Sequence, residues 1–459
     1  MEQKNAWESY DEKKMKEVFA FSDQYKEFIS TCKSERECIN ETIRIAEANG
    51  YIDLDQVISE NRVLKAGDKV YANNMGKTIA LFLIGEQPIE KGMKILGAHV
   101  DSPRLDIKQN PLYEEEELAM FETHYYGGIK KYQWVTMPLA IHGIVVKKDG
   151  TKIHIEIGED EKDPVVGISD LLVHLAGDQL GKTGAKVIEG EDLNILVGSI
   201  PLVNGDKEKA KATILKLLKE RYNMDEEDFL SAELEAVPAG KARDYGLDRS
   251  MIIGYGQDDR VCAYTSLAAM MEIKQSDKTC VCLLVDKEEV GSIGATGMQS
   301  KFFENCVAEV MNCTQDYSEI KLRRALKNSK MLSSDVSAAF DPNYASVMEK
   351  KNSAYFGHGI VFNKYTGSRG KSGCNDANAE YLGELRNIME KEKVIFQTAE
   401  LGKVDQGGGG TIAYILAQYN MEVIDCGVAV QNMHAPWEVV SKADVYETKC
   451  GYLAFLKHA

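Results

Sequence analysis

The sequence predicts an α/β protein in which a mixed β-sheet is sandwiched by helices and a second, mainly β domain is inserted. In residues 1–104 and 241–459, apolar runs of strand length alternate with amphipathic segments, which is typical of an α/β sheet. In residues 105–240, short runs alternate apolar and polar residues, which indicates half-buried strands. We therefore expect one discontinuous domain and one inserted domain with these boundaries.

The N-terminal part predicts helices, then a hairpin, then a buried strand. Ser34 and Glu37 have the spacing of a capping box at the start of a helix that an Asn-Gly pair ends. Residues 69–85 predict a β-hairpin, because two apolar runs flank turn-forming residues. Residues 94–98 predict a buried strand that places His99 at its carboxyl end.

The pattern of helices and strands resumes after the inserted domain. Residues 261–274 predict a helix, and residues 279–285 and 423–430 predict strands. A run of four glycines at 407–410 predicts a tight loop that leads into a helix at 411–419. In open α/β sheets, ligands bind outside the carboxyl ends of the strands, so the residues that follow these strands are the first candidates for a site.

Composition excludes several classes of partner. The net charge of −17 argues against nucleic acid, whose phosphates need basic patches, and against anionic membrane surfaces. Apolar runs fall far short of the roughly 20 residues that a membrane span needs. The first residues lack an apolar signal core, and the ten cysteines form no disulfide framework. We expect reduced thiols and a cytoplasmic protein.

His99 and Asp101 follow the buried strand that is predicted at residues 94–98. His99 is a candidate metal ligand, and Asp101 can accept a hydrogen bond from the other ring nitrogen, which fixes the tautomer. A plain surface pair of His and Asp would have the same sequence, so this motif alone leaves both interpretations open.

Two pairs of adjacent acids supply further candidates. Asp258 and Asp259 lie at the start of a predicted helix, where they either cap the helix or bind a cation that neutralises both charges. Glu288 and Glu289 follow the strand at 279–285. Because adjacent side chains of an extended chain point in opposite directions, one glutamate can bind metal while the other acts as a general base.

Asp335 and His434 complete the set, since each follows a predicted strand. Either residue alone would more often have a structural role. Together, the strand-end residues supply two imidazoles, several carboxylates and one further glutamate for acid–base chemistry. This is the inventory of a two-metal hydrolase, in which cations about 3.5–4 Å apart bind a water and a substrate carbonyl.

These motifs, in this order and spacing, resemble the M18 metallopeptidases, the family of the aspartyl aminopeptidases, over nearly the whole chain. The family has a phosphorylase/hydrolase-like catalytic domain, so the resemblance implies this fold. The matching segments are His99-Val-Asp101-Ser-Pro-Arg, Tyr126-Gly-Gly-Ile, Asp258-Asp259, Asp286-Lys-Glu288-Glu289-Val-Gly-Ser, Ser334-Asp335, Asp341-Pro-Asn-Tyr and Met433-His434.

The resemblance implies a role for each matching side chain. Glu288 would be the general base, Asp101 would orient His99, and a cis peptide bond would join Asp258 to Asp259. Two divalent metal ions are implied per subunit, with zinc expected and cobalt or manganese as alternatives. Their ligands would be His99 and Asp335 on one ion, Glu289 and His434 on the other, and Asp258 between them.

The resemblance also implies an assembly and a substrate site. The inserted domain would mediate dimerisation, and dimers would build a tetrahedral homododecamer in which His174 reaches a neighbouring active site. His358 would assist the substrate carbonyl. Apolar Val361 stands where aspartyl enzymes have a basic residue, so the N-terminal preference is open between acidic and neutral residues, with Lys403 as a candidate basic contact.

The sequence therefore predicts a metal-dependent aminopeptidase that removes N-terminal residues from peptides with a free amine. Two alternatives remain. One is a related two-metal deacylase or carboxypeptidase, which would accept blocked N-termini. The other is a catalytically inactive cage or binding protein, against which the complete ligand set argues.

Overall fold

The structure, a computed structural model, describes residues 4–203, 205 and 207–459. The chain divides into two compact units. The first comprises residues 1–101, 242–433 and 438–459, and the second comprises residues 102–241 and 434–437. Of the two expected domains, the first three residues of one and residues 204 and 206 of the other lie outside the described residues.

The first unit is built on a nine-stranded mixed sheet. Its central strands are parallel to one another, so their carboxyl ends lie at one edge of the sheet. In sheet order the strands are Ile52–Asp53, Lys69–Asn74, Thr78–Leu83, Thr279–Val285, Met93–His99, Lys330–Ser333, Glu422–Gly427, Ile360–Asn363 and Phe396–Thr398.

Helices cover both faces of this sheet. Consecutive residues of Thr279–Val285 enter two different apolar cores, as expected for a strand whose side chains alternate between faces. One core is covered by Glu12–Thr31, Glu35–Ala48, Gln257–Glu272, Ala379–Glu392 and Lys442–His458, and the other by Leu54–Ser59, Phe302–Thr314, Glu319–Lys327 and Ala413–Ala417. The predicted α/β fold is confirmed.

The first unit also contains a five-stranded sheet. One of its strands, Met251–Gly254, comes shortly before the helix Gln257–Glu272 in the chain. This strand pairs with Glu438–Ser441, with Gly254 opposite Glu438. The remaining strands are Arg243–Tyr245, Ala429–Gln431 and Ser337–Ala338.

The second unit is mainly β, with one long helix at Lys209–Tyr222. Its sheet has six antiparallel strands. The acidic run at 114–117 forms the tip of a hairpin in this sheet. In sheet order the strands are Lys152–Ile157, Leu139–Val146, Ala232–Pro238, Arg104–Glu115, Leu118–Tyr126 and Ile195–Gly198.

Most predicted elements of secondary structure form where the sequence places them, but the helix after the glycine run is shorter. It covers only Ala413–Ala417, and the glycines at 407–410 lie in a loop. All ten cysteines are free thiols, as expected. In the part of the chain that the structure describes, no helix combines the length and the apolar character that crossing a bilayer requires.

The predicted capping box at Ser34 is present. The Glu37 backbone N–H donates to Ser34 Oγ at 3.3 Å, and Glu37 Oε2 accepts the Ser34 N–H at 2.9 Å. We expect Ser34→Ala to lower the free energy of unfolding by about 1 kcal/mol, because a helix N–H loses its acceptor. Denaturant titration measures this loss. Ser34→Thr retains the hydroxyl and should stay near the wild-type value; equal losses in both variants would contradict the capping role.

Candidate metal centre

His99 is the last residue of the central strand Met93–His99, and its imidazole is buried. Its Nδ1 lies 2.9 Å from the Asp101 carbonyl oxygen and 3.3 Å from Asp101 Oδ1. Its Nε2 lies 3.2 Å from Asp258 Oδ1 and 3.9 Å from Glu288 Oε2. Asp101 therefore engages one ring nitrogen and leaves Nε2 facing the carboxylates.

The Asp101 carboxylate also organises the segment that carries the two glutamates. It is fully buried, and its two oxygens accept the backbone N–H groups of Glu288 and Glu289, each at 3.1 Å. Asp101 thus contacts His99 Nδ1 through both its carbonyl oxygen and its carboxylate, and the carboxylate also fixes the path of the Glu288-Glu289 backbone. Sequence reasoning identified only the contact with His99.

The sequence suggested that Glu288 and Glu289 lie in extended chain, but in the structure they lie in a helical turn. The strand ends at Val285, Lys287 has a left-handed backbone with φ of 70°, and Glu288–Val290 then forms a 3-10 helical turn. Three residues complete a turn of such a helix, so consecutive side chains still point in different directions. The two glutamates diverge because of this turn rather than because of strand pleating.

Asp258 and Asp259 are joined by a cis peptide bond, as the resemblance implied. Both have non-helical backbone angles, and Gly256 occupies the position that caps the helix. Neither carboxylate oxygen of Asp259 accepts a hydrogen bond from a backbone N–H of the helix, so Asp259 does not cap it. The Asp258 N–H donates to the buried carboxylate of Glu438 at 3.0 Å.

Two groups of side chains in the described residues have the geometry of a cation site. In each group, one potential ligand atom per residue lies within 4.8 Å of the others. Asp259 belongs to the second group, although the family resemblance named only Asp258 of this pair as a ligand; its position beside Asp258 was the available signal. The groups are His99, Asp258 and Glu289, and His99, Asp259 and Asp335.

Burial and mutual repulsion dominate the electrostatics of these carboxylates. Burial raises the pKa of Asp335 well above its usual range, and the charges of Asp259 and Asp258 raise it further. Burial likewise raises the pKa of Asp259. Burial opposes protonation of His99, but hydrogen bonds with Asp101 and Asp258 outweigh it and raise its pKa. Carboxylates crowded around an imidazole are the donor set that a divalent cation such as zinc fits.

His434 lies in the second compact unit, where its Nδ1 is 2.9 Å from the carbonyl oxygen of Gly128. Its backbone has a positive φ of 64°. It does not belong to either group of candidate ligands that the described residues form. Its coordination to a metal therefore stays a prediction.

The three predicted substrate residues lie in different settings. His358 precedes the strand Ile360–Asn363, its ring packs edge-on against Tyr355, and burial lowers its pKa. His174 is exposed in a 3-10 turn of the second unit. Lys403 is exposed and lines a cavity of about 360 Å³ in the first unit. Their roles stay predictions.

Gly427 packs directly against the backbone of Asp335. A Cβ atom there would lie 2.0 Å from the Asp335 carbonyl oxygen and 2.7 Å from the Cys262 sulfur. We expect Gly427→Ala to lower the free energy of unfolding by about 1–3 kcal/mol, the range for overpacked interiors. Gly383→Ala is the matched control, because no atom lies within 4 Å of its Cβ position. Equal stability of the two variants, measured by denaturant titration, would contradict this packing.

A buried imidazole surrounded by carboxylates, at the carboxyl edge of an α/β sheet, defines a metal-dependent hydrolase of the α/β class. Comparison with known proteins gives the family. Residues 28–456 match the family model described as "Aminopeptidase I zinc metalloprotease (M18)". The chain belongs to the M18 family, and it is a metalloaminopeptidase.

Relatives support this assignment over the full length. The chain is 69% identical to "Probable M18 family aminopeptidase 1" of Clostridium acetobutylicum, covering 100% of this chain and 98% of the relative. The crystal structure of an M18 family aminopeptidase from Thermotoga maritima matches with a TM-score of 0.95 at 43% identity, covering 100% of both chains. The mApe1 dodecamer of S. cerevisiae shares the fold at 20% identity, with a TM-score of 0.77 and coverage of 95% and 96%.

Proposed function

We propose that the chain hydrolyses the N-terminal peptide bond of peptides at a centre for two divalent cations, with zinc as the expected metal. The single observation that supports this most is the convergence of candidate ligand atoms on His99 within 4.8 Å of one another. The proposed ligands are His99 and Asp335 on one ion, Glu289 and His434 on the other, and Asp258 between them.

Glu288 is the proposed general base. When bound, the cations polarise the scissile carbonyl and lower the pKa of the attacking water. The Glu288 carboxylate, 3.9 Å from His99 Nε2, takes a proton from that water and passes it to the leaving amine. Asp101 holds the Glu288 backbone and His99 in the geometry that this transfer needs.

The N-terminal preference is part of the same proposal and has two candidate outcomes. Val361 is fully buried in an apolar cluster, so this strand presents no positive charge there. Arg369, Lys371 and Lys403 line one cavity together with Glu400, which offers positive charge elsewhere in the first unit. Acidic and aliphatic N-terminal residues therefore both belong in the test.

We also propose that the second unit mediates dimerisation and that the dimers build a homododecamer. This unit exposes a cluster of large apolar side chains, and exposed apolar patches mark interaction sites. The mApe1 relative, which shares the fold, is a dodecamer. Native mass spectrometry measures the assembly; a monomer at micromolar concentration would overturn this part. The exposed side chains are Leu171, Leu172, Val173, Leu175 and Leu180.

The deciding experiment is hydrolysis of free-amine aminoacyl substrates, acidic against aliphatic, before and after chelation. We expect cleavage to stop with chelator and to return with zinc, cobalt or manganese. Acetylated substrates are the control, since an aminopeptidase requires the free amine. Cleavage of the acetylated forms would favour a deacylase, and no cleavage with any metal would favour an inactive cage or binding protein. Cell fractionation tests the proposed cytoplasmic location.

A further inference from the structure

Glu438 places a buried carboxylate against the backbone of the proposed bridging ligand. It is 1% exposed and begins the strand Glu438–Ser441. Its Oε2 accepts the N–H of Asp258 at 3.0 Å. Burying a carboxylate is unfavourable unless its interactions compensate, so this contact at the edge of the metal centre requires an explanation beyond apolar packing.

The residue before Asp258 is fixed by the same strand. The Gln257 side chain donates to the carbonyl oxygens of Ile252 at 3.1 Å and of Glu438 at 3.4 Å. The Tyr25 hydroxyl, fully buried, donates to Gln257 Oε1 at 2.5 Å. Side-chain and backbone contacts of Glu438 therefore hold two consecutive residues of the segment that carries the acidic pair.

The residue after the acidic pair connects this segment to His99. Arg260 is fully buried, and its Nε donates to the carbonyl oxygen of Val100 at 3.1 Å. Val100 lies between His99 and Asp101 in the chain. The position of Asp258 relative to His99 is thus set from both sides, by Glu438 before the acidic pair and by Arg260 after it.

We infer that Glu438 is a positioning residue for the metal centre: through the Asp258 N–H it places the Asp258 carboxylate 3.2 Å from His99 Nε2. This inference rests on the proposed metal site. Partners that orient metal ligands are typically worth 10–100-fold in metal affinity or activity. A purely structural role predicts something different, because a carboxylate near a helix start also stabilises the helix without affecting metal binding.

The test measures zinc affinity of the metal-stripped full-length protein by competition with a chromophoric chelator. We expect Glu438→Leu to weaken zinc binding by about 10–100-fold. Glu438→Gln retains an oxygen acceptor for the Asp258 N–H and should recover part of this loss. Glu447→Leu is the matched control, since Glu447 is also buried and accepts a backbone N–H, from Ile395 at 2.9 Å, away from the acidic pair.

Zinc affinity of Glu438→Leu equal to that of Glu447→Leu would overturn the inference. If Glu438→Leu does not fold, Glu438→Asp replaces it, because the shorter side chain withdraws the carboxylate from the Asp258 N–H; unchanged affinity in that variant would overturn the inference equally. Failure of the proposed function has a separate signature. It would appear as wild-type protein that binds zinc but cleaves no peptide, and it would leave the affinity comparison intact.

Discussion

Glu288→Gln is expected to lower kcat by at least about 10²-fold while the metal stays bound. This factor is the low end of what a general base contributes to the rate. The amide has nearly the shape of the carboxylate but cannot take a proton from water. Since Glu288 is not one of the proposed ligands, zinc content should equal that of the wild type. Steady-state kinetics with the preferred aminoacyl substrate and metal analysis of the same sample measure both quantities.

The matched control for this experiment is Glu86→Gln, which makes the same chemical change at an exposed position outside the proposed site. It should retain wild-type kcat. Near-normal turnover of Glu288→Gln would remove Glu288 from the mechanism. Loss of zinc together with activity would instead identify Glu288 as a ligand and require a different base.

The sequence predicted that His99, Glu289 and Asp335 follow strands of one α/β sheet, but it did not predict which of these strands are neighbours. His99 ends one central strand, and Asp335 follows the adjacent strand Lys330–Ser333 by two residues. Once these strands align in parallel, their carboxyl ends must lie at one edge. Period and polarity identified the candidate residues, and the family resemblance added a role for each of them.

The sequence could not predict contacts that depend on the path of the chain between elements. Glu438 lies 180 residues from Asp258 in the chain, and only the pairing of Met251–Gly254 with Glu438–Ser441 brings them together. The 3-10 turn at Glu288 could not be predicted either, because the residues that follow a strand have no strong hydrophobic periodicity. Both misses concern backbone placement and not residue chemistry.

Asp101→Ala is expected to lower both zinc affinity and kcat/KM by about 10–100-fold, the range for residues that orient metal ligands. The substitution removes the acceptor of the Glu288 and Glu289 N–H groups and the carboxylate beside His99 Nδ1. Each buried N–H left without an acceptor costs about 1–3 kcal/mol, so the segment is expected to move. The combined loss distinguishes Asp101→Ala from Glu288→Gln, in which only turnover falls.

Asp444→Ala is the matched control for this second experiment. Asp444 is also fully buried, and its two oxygens accept the N–H groups of Gly357 at 2.9 Å and Gly359 at 2.7 Å. Both substitutions remove a double acceptor of backbone N–H groups and should lower stability alike, but only Asp101→Ala should weaken zinc binding. The two carboxylates differ in that only Asp101 contacts His99 and the glutamate segment. Equal zinc affinity in the two variants would therefore mean that Asp101 supports the fold and not the metal centre.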